Sequence, residues 1–115
     1  MIDTHSHINF ENYRENFEDF LNDIQRNEIE KVIIPGVEPS SFNEIISLCN
    51  EYEMLFGAIG IHPSEFQTYN KEVEETIYKL IKNSKIVAIG EIGLDYHYGF
   101  DSKEEQKSIL RKQLK

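Results

Sequence analysis

Four times along this chain a short apolar run gives way to a stretch with helical periodicity, and that alternation restricts the fold more than any other feature. Ile2 to Ile8 reads as a strand, and Tyr13, Phe17, Leu21 and Ile24 then recur at helical spacing across residues 11–27. Val32-Ile33-Ile34, ended by Pro35-Gly36, is a continuous β-branched run of the kind buried on both faces. A helix is expected from Ser41 to Glu53, with Ser41-x-x-Glu44 as a capping box and Ile45, Ile46, Leu48 and Cys49 as its apolar stripe. Met54 to Ile61 is the third strand, closed by His62-Pro63. The third helix carries Val73, Ile77, Leu80 and Ile81, with Glu72, Glu74 and Glu75 where the helix dipole favours acids. Ile86 to Ile92 is the fourth strand, and a second capping box, Ser102-x-x-Glu105, opens a helix with Ile109, Leu110 and Leu114.

The order βαβαβαβα, with no strand alternating cleanly between apolar and polar, predicts an α/β fold with a parallel sheet covered by helices. An open doubly wound sheet and part of a (β/α)8 TIM barrel both fit. A complete barrel takes about 250 residues, so four βα units in 115 residues amount to half of one. The last helix runs into Lys115 with no Gly, Asn or Pro stop signal. The expectation is therefore residues 1–115 as the truncated, N-terminal half of a single barrel domain.

The chain has 12 basic and 21 acidic residues, a formal net charge of −9. Such a field does not draw in nucleic acid or anionic lipid. A phosphate-bearing substrate would need local positive charge, and a bound cation is one source. The single cysteine, Cys49, excludes an internal disulfide and reads as a small buried residue. No basic, then apolar, leader pattern stands before the first strand, and no apolar stretch approaches the roughly 20 residues of a membrane span. A cytoplasmic protein without a membrane partner is expected.

The four histidines, His5, His7, His62 and His97, all fall outside the predicted helices. His5 and His7 end the first strand, His62 follows the third and His97 the fourth. In parallel α/β folds those strand ends build the site. Positions i and i+2 of a strand point the same way, so two imidazoles can reach one ion at about 2.0–2.2 Å. Asp3 shares their parity and could support them from behind. Glu91 interrupts the apolar run Ile86 to Ile92; a carboxylate there needs a partner, which a metal ion or a lysine would supply. His62, stiffened by Pro63, could contact phosphate, donate a proton or ligate metal. Asp95, Tyr96 and His97 lie in the following loop, with weaker claims. No P-loop, G-x-G-x-x-G or C-x-x-C occurs, and Ser6 lacks the strained turn of a nucleophile.

Asp3-Thr4-His5-Ser6-His7, Gly60-Ile61-His62-Pro63 and Gly90-Glu91-Ile92-Gly93-Leu94-Asp95-Tyr96 together resemble the TatD-like metal-dependent hydrolases, TIM barrels of the amidohydrolase superfamily. Val32 to Val37 is similar to that family's second strand, and Gln106 to Lys115 to its fourth helix. The resemblance spans the whole chain but half the family's usual length. It implies that His5 and His7 ligate one metal, that Glu91 is shared between two, and that His62 belongs to the active site, for phosphate contact. It also implies two divalent ions (Mg, Mn or Zn) and a deoxyribonuclease acting on DNA phosphodiesters through a metal-activated water. The family's remaining ligands, two histidines and an aspartate, come from later strands absent from these 115 residues, so this chain alone is expected to be inactive. Ser6 stands where relatives often carry Cys, and Tyr96-His97-Tyr98 departs mildly from the usual loop.

Two other readings compete. One is a hydrolase of another ester or amide on the same scaffold, such as an aminoacyl-tRNA bond or a lactone. The other is a non-catalytic fragment that self-associates, because half a barrel leaves its first and fourth strands as open edges.

Overall fold

The structure is a computed structural model that describes residues 1–9, 11–97 and 102–115, with backbone only at 11, 12 and 14. Eight regular elements alternate along it: β1 (Ile2–Asp3), α1 (Phe17–Arg26), β2 (Lys31–Pro35), α2 (Phe42–Glu51), β3 (Leu55–Ala58), α3 (Lys71–Leu80), β4 (Ile86–Ala88) and α4 (Lys103–Gln113). Three 3-10 segments, Glu11–Asn16, Pro39–Ser41 and Pro63–Thr68, stand between them. The strands form one parallel sheet in the order β1-β2-β3-β4, so every strand C-terminus lies at the same end.

The core is built where apolar periodicity demanded it. Val32, Ile34 and Leu55 from the central strands are fully buried against Phe42, Ile45 and Cys49 of α2. Burial pushes the Cys49 thiol pKa up to about 11, which suits packing and not reactivity. At the N-terminal end of the sheet, Lys85 Nζ donates to the carbonyls of Tyr52 (3.3 Å), Glu53 (2.7 Å) and Leu55 (3.2 Å), closing that end. No described helix is long and apolar enough to cross a membrane.

Several expected boundaries move. The strands are shorter than their apolar runs, because the ladder lasts only while two backbones stay in register; β3 and β4 slip between Gly57 and Ala58. The first turns expected of α1 are the 3-10 segment Glu11–Asn16. Neither predicted serine caps its helix: the Ser41 hydroxyl donates to Glu38 O at 2.7 Å, and Ser102 Oγ accepts from Gln106 Nε2 at 3.0 Å. Among the four α-helices, the side-chain cap that does form is Asn70, whose Oδ1 accepts from Val73 N at 2.9 Å. Nor is the fourth strand covered on both faces: Val87 is 51% exposed while Ile86 beside it is buried. Tyr98 lies outside the described residues.

Candidate metal centre

The site begins with how the chain leaves the sheet. β1 stops at Asp3, whose Oδ1 accepts from the His5 N–H at 3.0 Å, an Asx turn that bends the backbone away from the expected strand. Asp3 therefore supports the main chain of His5, not its ring. The Ser6 N–H still reaches Ile33 O at 3.1 Å, pinning the loop to β2. On the other side, the Glu91 N–H donates to Gly36 O at 2.6 Å. Gly60 makes this possible: a Cβ there would lie 2.9 Å from Ile92 Cγ2 and 3.0 Å from Glu91 O. Backbone therefore approaches backbone where any larger residue would push Glu91 away.

These anchors bring together the three residues that sequence reasoning singled out for metal. His5 Nε2 lies 3.2 Å from Glu91 Oε1, and His7 Nε2 lies 3.5 Å from Glu91 Oε2. One ligand atom from each residue falls within 4.8 Å of the others. The imidazoles meet edge to face, with centroids 5.1 Å apart and planes at 82°. Two ligands held tetrahedrally at about 2.1 Å from one ion stand about 3.4 Å apart, so the donor separations and donor types fit a single cation. Among the described residues, the nitrogens within ion-pair distance of the Glu91 carboxylate belong to these two histidines and not to a lysine. Burial lowers the pKa of His7; the nearby Glu91 raises it, and His5 and His62 lower it further. The net effect keeps His7 neutral, the form that ligates metal.

His62 lines the same open cleft, of about 570 Å3, together with Thr4, His5, Glu91 and Asp95. It stands outside the ligand cluster. The Ser64 N–H donates to His62 Nδ1 at 3.1 Å, and Ser64 Oγ lies 2.8 Å from the same atom. A backbone N–H can only donate, so Nδ1 is the acceptor and the neutral ring carries its proton on Nε2. Ser64 went unnoticed in the sequence, although His62-Pro63-Ser64 has the pattern of a helical N-terminus with Pro at its start. Asp95 Oδ1 accepts from the His97 N–H at 2.8 Å, which orders the loop. His97 is exposed and joins neither the cluster nor the cleft lining.

Comparison with known proteins gives a consistent setting. A family model named TatD related DNase matches residues 2–115. The uncharacterized metal-dependent hydrolase YabD of Bacillus subtilis is 32% identical over 114 residues, which are 99% of this chain and 45% of that one. The 3′-5′ ssDNA/RNA exonuclease TatD of Escherichia coli is 30% identical over 84 residues, 73% of this chain and 32% of that one. The crystal structure of YJJV, a TatD homologue from Escherichia coli, is similar with a TM-score of 0.88 at 32% identity, covering 99% of this chain and 45% of that one. The chain thus spans a little under half of YabD and of YJJV, close to the share that four of the eight units of a TIM barrel occupy.

Proposed function

This chain belongs to the TatD related DNase family, and on that premise we propose that it carries one wall of a metal-dependent hydrolase site that cleaves DNA phosphodiester bonds. The observation that carries the reading is the convergence of His5, His7 and Glu91 at the C-terminal mouth of a parallel sheet. Those three residues would hold a divalent cation, Mg, Mn or Zn. Such an ion, or a pair of them, supplies when bound an acidified water and positive charge for the phosphate oxygens. His62 presents an Nε2–H donor to the same cleft and would contact a phosphate oxygen. Glu91 would share the ion with His5 and His7, since its carboxylate faces both imidazoles, Oε1 toward His5 Nε2 and Oε2 toward His7 Nε2. A cytoplasmic location is part of this reading.

The test is DNA cleavage with Mg2+ or Mn2+. The 115-residue chain alone should cleave little or none, since His5, His7 and Glu91 are the only ligand cluster among its described residues. Robust metal-dependent cleavage that Glu91→Gln abolishes would overturn the expected inactivity of the isolated chain. Hydrolysis of an aminoacyl ester or lactone, with none of DNA, would instead favour the alternative substrate class.

We also propose that two copies pair through the open edges of β1 and β4 into a closed eight-stranded assembly. A compact monomer of 13.5 kDa exposes about 6,500 Å2; this chain exposes 7469 Å2. Its radius of gyration is 15.0 Å, against about 13 Å for a compact domain of this length. The excess, doubled over two copies, is the size of a stable interface. Light scattering should return the mass of a dimer, and a well-behaved monomer would exclude the pairing.

A further inference from the structure

Backbone pairing between the exits of β3 and β4 lasts only to the Ile59 N–H, which donates to Ala88 O at 3.2 Å, and the Gly90 N–H, which donates to Ile59 O at 3.3 Å. Beyond it, the cleft loops must find other partners for their backbone groups, and one helix supplies two of them. The Ile61 N–H donates to Gln113 Oε1 at 2.8 Å, and Gln113 Nε2 donates back to Ile61 O at 3.2 Å. The Asp95 N–H donates to Gln106 Oε1 at 2.9 Å, and Gln106 Nε2 donates back to Asp95 O at 2.7 Å. A carboxamide carries the same donor and acceptor as a peptide group. Each glutamine therefore replaces a missing strand neighbour.

Gln106 and Gln113 are two turns apart, so both project from one face of α4. Gln106, 4% exposed, is the buried residue of α4, while Leu114 just beyond its end is 68% exposed. Polar pairing thus does much of the holding here. Ile61 immediately precedes His62, and Asp95 follows Glu91 in the same loop. We propose that Gln113 and Gln106 are positioning residues: α4 grips the loops after β3 and β4 through two amide clamps and so sets where His62 and the Glu91 loop stand across the cleft. The functional sense of this assignment rests on the metal-site reading above. The clamps themselves are read at two amides and at the His62 ring, so they can fail while metal binding stands, and the reverse.

The test uses the full chain, amide hydrogen exchange and 15N NMR of the imidazoles. Methionine keeps the length and helix propensity of glutamine without its amide. In Gln113→Met the Ile61 N–H should exchange about ten-fold faster, with Asp95 unchanged, and His62 Nδ1 should lose part of its acceptor signature. In Gln106→Met the pattern should invert, with Asp95 exposed and the His62 ring unmoved. Unchanged exchange at both amides would overturn the proposal. So would a rise at Ile61, Asp95 and core Leu55 together, which means general loosening. If a methionine variant does not fold, Gln113→Glu decides: it keeps the acceptor, so Ile61 should stay protected within about three-fold, and loss of that protection would overturn the clamp.

Discussion

His5 Nε2 lies 3.2 Å from Glu91 Oε1, although β1 and β4 are the two edges of a four-stranded sheet. Strands stand about 4.8 Å apart, which puts opposite edges of such a sheet about 14 Å apart. Side chains rise perpendicular to a flat sheet and would keep that separation. His5 and Glu91 stand just past the ends of their strands, so their meeting fits a sheet curled with this end on its concave side. Together with the similarity to the TatD homologue's structure, the contact favours the curvature of a barrel wall over an open doubly wound sheet.

Because His5, His7 and Glu91 offer donors spaced for one ion, removing His5 should weaken metal binding. We expect His5→Ala to bind Zn2+ or Ni2+ at least about ten-fold more weakly by calorimetry, since even residues behind the ligands are worth that much. Identical binding in both forms would count against the site.

His7 sets a pH dependence. Unfolded, it titrates near 6.5; folded, its pKa is lower, because burial disfavours the charged ring. Between those two values the unfolded chain binds more protons. The stability contributed by neutral His7 is therefore full above about pH 6.5 and is lost as the pH falls through that window. The His7 ring resonances should titrate below 6.5, and the urea midpoint should fall with acidification there. A ring midpoint at or above 6.5 would contradict this.

Gly60 is where β3's exit touches the Glu91 backbone. Gly60→Ala should cost about 1–3 kcal/mol, as overpacking against backbone does, and should weaken metal binding by displacing Glu91. Denaturant titration and calorimetry read both effects. A variant with unchanged stability and affinity would show that the loop yields freely.

Ile45 is fully buried between α2 and the sheet. Ile45→Ala should cost about 2–5 kcal/mol, a large share of the stability of a small domain, and should be visible as a lowered denaturant midpoint.

Val87 tests the pairing of copies, being 51% exposed on edge strand β4. Val87→Lys should leave the circular dichroism spectrum unchanged while reducing the mass seen by light scattering to that of one chain. An unchanged dimer mass would place the contact elsewhere.

Much of the fold and of the candidate site was legible in the residues. Val32-Ile33-Ile34 could hardly be anything but a buried strand, and a carboxylate within Ile86 to Ile92 had to meet a partner. The ends of elements were not legible. Ser41 and Ser102 had the spacing of capping boxes, yet their hydroxyls turned to other groups, while Asn70 capped α3. A cap depends on the backbone angles before the helix, which tertiary packing sets. Nothing in the sequence marked Gln106 and Gln113, because nothing local announces which distant peptide groups lack a partner.

Local chemistry alone determined the order of strands and helices, the parallel sheet, and the choice of His5, His7 and Glu91. Periodicity and the cost of burying charge act residue by residue and need no knowledge of neighbours in space. Only the tertiary structure decided that the sheet curls, that Asp3 serves the His5 backbone, and that α4 grips the loops beneath His62 and Asp95. Those outcomes depend on which groups remain unpaired once the strands have docked, and distance along the chain does not encode that.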